Sequence, residues 1–172
     1  MAEIDLSADC SRCAALCCVV LPFDRSDAFG FDKAADEPCR HLSGGNRCAI
    51  HARLADGFSG CVQFDCHGAG QRVTQEVFAG RSWRNEPALS GPMAAAFRAM
   101  RKLHEAVLLL REAGRLTLVA EKEQARQSLL EALASDWQRG EADLSALETG
   151  PELKAVRVFL ATLRETVRPP HR

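Results

Sequence analysis

The residues most able to do chemistry are eight cysteines: Cys10, Cys13, Cys17, Cys18, Cys39, Cys48, Cys61 and Cys66. None follows Cys66, although the chain runs to 172 residues. Such segregation marks a module. Three chemistries suit it: thiolates on a metal ion or iron–sulfur cluster, paired disulfides, or buried free thiols. Eight cysteines can pair as disulfides in 105 ways, but the N-terminal stretch MAEIDLSADCSRC has neither a basic n-region nor an apolar h-region. The expected compartment is therefore the cytoplasm, where disulfides are rare and clustered cysteines more often bind metal. All eight are candidate metal ligands.

A metal site needs thiolates that converge from a locally rigid and globally folded-back backbone. In CSRCAALCC, Cys10, Cys13 and Cys17 are separated by three and then four residues. If this segment is helical they share one face. Cys18 stands about 100° round from Cys17 on an α-helix, so this adjacent pair reaches different metals or opposite sides of one cluster. Cys39 and Cys48 sit in PCRHL and RCAIH, and Cys61 and Cys66 in GCVQFDCHGAGQ. The turn-forming stretches SGGN (43–46) and DGFSG (56–60) let the chain double back.

His41, His51 and His67 lie among these cysteines and are alternative zinc ligands, or donors of N–H bonds to thiolate sulfur. Arg12, Arg40, Arg47 and Arg53 are each within five residues of a cysteine, where cations offset thiolate charge or simply meet solvent.

Taken in order, Cys13-x3-Cys17-Cys18, Cys39-x2-Leu42, Cys48-x-Ile50 with Arg53, and Cys61-x4-Cys66 resemble the YkgJ-like cysteine-cluster family of zinc- or iron-chelating proteins. Arg40 stands where that family usually has proline, and His51 where tyrosine is common. CSRCAALCCV, FGFDKAADEPC, NRCAIHARLADGFSGC and FDCHGAGQ are also similar, in the same order, to the N-terminal region of actinobacterial pentapeptide-repeat proteins. That likeness covers about residues 10–75 and continues more weakly to RKLHE (101–105). A single repeat-like stretch, ADLSA (142–146), implies that the repeat array itself is absent. The resemblance implies zinc or iron bound by these cysteines, with an iron–sulfur cluster left open.

Elements must position this cluster. QRVTQEVFAG is a short amphipathic piece after GAGQ, whose glycines do not meet a phosphate-loop pattern. From Pro92 to Gly114, Ala96, Met100, Leu103, Val107 and Leu110 recur in steps of four and three, predicting an amphipathic helix that starts near the proline and stops at the glycine. A second helix is expected near 119–139, with Leu129, Leu130, Leu133 and Trp137 on one side and Gly140 as its stop. A third runs from Pro151 to about Val167, with Leu153, Val156, Leu160, Leu163 and Val167 as its seam. Thr149 or Gly150 would cap it, Thr149 and Glu152 having capping-box spacing. His104, Trp83 and Trp137 read as packing residues rather than ligands.

The expected fold is mainly α: an irregular Cys-rich metal-binding module (1–75) packed on an antiparallel helical bundle (76–172). A formal charge of −1 and the absence of tyrosine argue against nucleic acid, which calls for basic and aromatic surfaces. The longest apolar runs, such as AVLLL, fall far short of the roughly 20 residues of a membrane span. No catalytic constellation is evident. The expected function is a protein that holds zinc or iron for structure, storage or delivery. An iron–sulfur redox protein and a zinc-stabilised interaction module, its protein partner unknown, are the alternatives.

Overall fold

The computed structural model describes residues 4–135 and 150–164. Among these the chain is mainly helical and has no strands, only three isolated antiparallel bridges. Six α-helical segments follow one another among the described residues: α1 (Leu16–Val20), α2 (Ser59–Gln63), α3 (Ala69–Arg72), α4 (Ser90–Ala113), α5 (Ala120–Ser135) and α6 (Pro151–Thr162). α3 runs on into a π turn, Val73–Val77.

The long helix α4 is the spine. Its expected stripe is buried, and Met93, Ala94, Phe97, Ala99, His104, Ala106 and Ala113 are buried with it. The buried surface is much wider than one seam because α4 packs on both parts of the chain: α1 and α3 on one side, α5 and α6 on the other. One apolar cluster accordingly runs from Ile4, Leu16 and Val20 through Phe97 and Leu103 to Leu133 and Phe159. Burying a side chain such as Leu103 contributes about 1.5–3 kcal/mol.

The helix ends follow the sequence with two refinements. α4 begins at Ser90, so Pro92 lies within its first turn, where its missing N–H has no helical acceptor to lose. Gly114 ends the helix, but with right-handed backbone (φ −67°). A Cβ there would lie 2.9 Å from the Arg126 guanidinium carbon, so a side chain would push that arginine aside. Arg126 pairs with Glu123 and donates to the Leu110 carbonyl at 3.2 Å, tying α5 to the end of α4. Lys122 of α5 donates to the Thr162 carbonyl of α6 at 2.9 Å.

α6 starts at Pro151 after Gly150, as the proline suggests. Leu153, Val156 and Leu163 are buried, but Phe159 lies deeper than Leu160, because a ring one position along reaches the core that the stripe only approximates. Leu129 and Leu130 are half-buried and Leu133 is fully buried in α5. Trp137, Gly140, ADLSA, Thr149 and Val167 lie outside the described residues. No helix among the described residues is long and apolar enough to cross a membrane.

The cysteine-bearing part is built differently. Residues 10–18 do not form the single helix that would align Cys10, Cys13 and Cys17. Cys10–Arg12 is a 3-10 turn capped by Asp9, Cys13 is extended (φ −108°, ψ 141°) and Ala15 is left-handed (φ 58°) before α1 begins. Tertiary bonds cause the break. The Ala14 N–H donates to Thr74 Oγ1 at 3.0 Å, and the Ala14 carbonyl accepts from Trp83 Nε1 at 2.8 Å. With both backbone groups so committed, a continuous i→i−4 ladder cannot pass through.

Candidate metal centre

Cys17 and Cys18 follow each other in α1, their sulfurs 3.9 Å apart. After α1 the chain makes a small antiparallel excursion, with bridges Phe23 to Lys33 and Ser26 to Phe29. It returns so that the Cys39 N–H donates to the Cys18 carbonyl at 2.9 Å. A second excursion through the SGGN turn pairs Leu42 with Cys48, and the Ala49 N–H donates to the His41 carbonyl at 2.8 Å. Cys39 is thereby bonded to α1, and Cys48 is paired with the loop that follows Cys39.

Cys61 lies in α2, one turn after Phe58, which anchors the loop. The Phe58 ring meets Phe31 and His41 edge-on, each at 5.3 Å, and Phe23 stacks on Phe29 at 4.4 Å. This aromatic nest is a local core that regular secondary structure does not supply here.

Cys66 lies three residues before the start of α3, its carbonyl accepting from the Ala69 N–H at 3.0 Å. α3 lies against the 3-10 turn of Cys10. Gln71 donates to the Ser7 carbonyl at 3.0 Å and accepts from the Asp9 N–H, and Gln75 donates to the Arg12 carbonyl at 2.7 Å. The approach is close: a Cβ on Gly70 would stand 2.6 Å from Cys13 Sγ. Gly70 thus lets α3 approach Cys13, while Gly68, with φ +79°, turns the chain beside the Ser7 carbonyl.

The eight cysteines are free; Cys10 is exposed and the other seven are half-buried. Burial pushes the Cys13 thiol up to about 11. Cys17 is held well above the usual thiol range by its bond to Cys18, by burial, and by the charges of Cys18, Cys13 and Cys66. Cys18 is pulled the other way by the bond from Cys17 and by the Lys33 ammonium. Burial raises the pKa of Cys10, Cys48 and Cys61, and charge on neighbouring cysteines raises each further. Crowded, desolvated thiols resist deprotonation singly. A bound cation would reverse that balance, since it stabilises each thiolate.

Lys33 is the residue that spacing arguments missed. It is only 6% exposed, and its Nζ donates to the carbonyls of Val19 (2.8 Å), Leu21 (2.7 Å) and Ala34 (3.1 Å). It therefore caps the C-terminal end of α1, where a cation is favoured. Burial lowers its pKa, and the charges of Cys39 and Cys18 raise it. The only signal in the sequence was its place in the FGFDKAADEPC stretch.

The other candidates find ordinary partners. Arg40 stacks 3.6 Å from the Phe31 ring centroid. Arg47 acts electrostatically on Asp9 and Cys10, as Arg12 does on Asp9. His51 and Arg53 are exposed on a 3-10 turn. His41 is in the aromatic nest, and His67 sits 3.6 Å from the Asp65 carboxylate. His104, fully buried in α4, bonds through Nδ1 to the His67 carbonyl. Burial takes its pKa down to about 4, so it is neutral. Trp83 packs between Ala14 and the Arg84 guanidinium.

Among the described residues no three His, Cys, Asp or Glu side chains converge in ligating geometry. The chemistry of the donor set nevertheless fits zinc or iron: all-sulfur, half-buried apart from the exposed Cys10, and flanked by a buried ammonium.

No protein-family profile and no solved structure matches the chain. Over 110 residues it is 46% identical to the uncharacterized protein YybG of Bacillus subtilis (strain 168), an alignment covering 63% of this chain and 39% of that protein. The chain therefore spans about two-fifths of the length of the curated relative it matches.

Proposed function

We propose that this chain is a metal-binding protein that holds zinc or iron through its cysteine thiolates, for structure, storage or delivery. The observation that supports the reading is that all eight cysteines fall between residues 10 and 66, on the 3-10 turn, α1, its two return loops, α2 and the segment that leads into α3. The order of the cysteine motifs supports membership of the YkgJ-like group. A reducing cytoplasm is the compartment that suits such thiols. Lys33 supplies positive charge beside Cys18 and Cys39. In this reading residues 1–75 form the metal module and residues 76–172 its helical scaffold. The bonds from α5 to the ends of α4 and α6 support an antiparallel arrangement of that scaffold.

Elemental analysis with an ultraviolet–visible spectrum, on full-length protein purified without oxygen or added metal, tests the proposal. One to two zinc ions per chain and a colourless sample are the expected result. Stoichiometric iron with sulfide and a brown colour would move electron transfer to the front. Protein that retains no metal, and takes up none on titration with zinc or iron under reducing conditions, would overturn the reading.

One observation favours the interaction-module reading as a second role. An open apolar groove of about 590 Å³ lies between α5 and α6, lined by Ala125, Leu129, Ala155, Val158 and Phe159 among others. A variant such as Val158→Glu that keeps metal and fold but loses a co-purifying protein would establish that role.

A further inference from the structure

The metal-binding reading leaves open how eight thiolates are shared, and the path of the chain divides them. Building on that reading, we infer that they form two adjacent four-thiolate sites, Cys10, Cys13, Cys17 and Cys66 in one and Cys18, Cys39, Cys48 and Cys61 in the other, each for one thiophilic divalent ion.

The first group is gathered by α3. Its packing on the 3-10 turn, the bonds from Gln71 and Gln75 to the backbone on either side of Cys10, and the close approach of Gly70 to Cys13 Sγ bring Cys66 beside Cys10 and Cys13. The second group is gathered by the return loops. Cys39 is bonded to Cys18 through the main chain, Leu42 bonds back to the Cys39 carbonyl at 2.8 Å, and Leu42 pairs with Cys48. The Phe58, Phe31 and His41 contacts hold α2, and with it Cys61, against the same loop.

The electrostatic neighbourhoods follow this division. Cys10, Cys13 and Cys17 each feel Cys66. Cys48 and Cys61 both feel Cys18 and Cys39, and Cys61 also feels Cys48. Contacts across the division run through Cys18 alone, to Cys17 and to Cys10. α1 is therefore the boundary between the sites, contributing Cys17 to one and Cys18 to the other, with the two sulfurs 3.9 Å apart. Each group has the four thiolates that a tetrahedral zinc ion takes, leaving none over. Lys33 places its charge on the Cys18 and Cys39 side.

The test uses the full chain loaded with zinc, and separately with 113Cd as a probe. Wild type should hold two zinc ions and give two 113Cd resonances of equal intensity in the four-sulfur range, without coupling through a shared sulfur. Cys13→Ser/Cys66→Ser should fall from two zinc ions to one and lose one resonance. Cys39→Ser/Cys61→Ser should likewise keep one ion and lose the other resonance. A single cadmium environment, cadmium–cadmium coupling through bridging sulfur, or loss of both ions from a folded double variant would overturn the division while leaving metal binding intact. Should the variants not fold, the wild-type 113Cd spectrum decides. A wild-type chain that binds neither zinc nor cadmium would remove the metal-binding reading itself.

Discussion

Replacing Lys33 by Met keeps most of the aliphatic stem in its buried slot and removes only the ammonium. The three carbonyls it serves, of Val19, Leu21 and Ala34, then lose their donor. A buried acceptor left unpaired costs about 1–3 kcal/mol. The Val19 carbonyl lies in a buried pair and bears that cost in full; the other two are part-buried and recover some of it from water. Relief of the ammonium's own desolvation offsets a further part. The net destabilisation should be about 2–3 kcal/mol. In a chain of this length that lowers Tm by about 5–10 °C. Urea unfolding of the metal-loaded chain, followed by far-ultraviolet circular dichroism, measures it. Competition with a chelator should also show faster metal loss, because Cys18 and Cys39 lose their nearby positive charge. Lys33→Arg should recover part of the metal retention. A Lys33→Met chain within about 0.5 kcal/mol of wild type would refute the assignment of Lys33 as the cap of α1.

Three further outcomes follow from the same geometry. His104 is buried neutral with a pKa of about 4, below its ordinary 6.5. The unfolded chain therefore takes up the proton first, so stability is complete above pH 6.5 and is lost as pH falls towards 4, by about 3 kcal/mol. Denaturant unfolding across that range should show the slope, and a folded His104→Gln variant should flatten it. Gly70→Ala puts a methyl 2.6 Å from Cys13 Sγ, which should cost about 1–3 kcal/mol and reduce metal occupancy, whereas Gly91→Ala, with open space around it, should leave occupancy unchanged. Complete metal removal should speed proteolysis within residues 1–75 and leave α4 protected, because on the metal-binding reading the irregular loops depend on bound metal while α4 is held by apolar packing that also draws on α5 and α6; cleavage rates equal to those of the loaded chain would contradict this.

The sequence by itself determined that all eight cysteines lie in the first part of the chain and that long amphipathic helices follow them. Cysteine type and placement are local facts, and the apolar stripe of α4, from Ala96 to Leu110, follows from helical period alone, as do the start at Pro151 and the stop at Gly114. Tertiary structure decided the rest. Cys10, Cys13 and Cys17 do not share a helical face, because Thr74 and Trp83, some 60 residues away, claim the backbone of Ala14. Phe159 outranks Leu160 because depth depends on what α4 and α5 present to it, which no period within α6 records. Lys33 looks like any surface lysine until the Phe23 bridge folds it under α1, and Cys39 meets Cys18 only through that same loop closure. Spacing specifies which residues can share a turn; bonds between distant backbone groups specify which turns meet, and it is those bonds that bring cysteines from separate segments together.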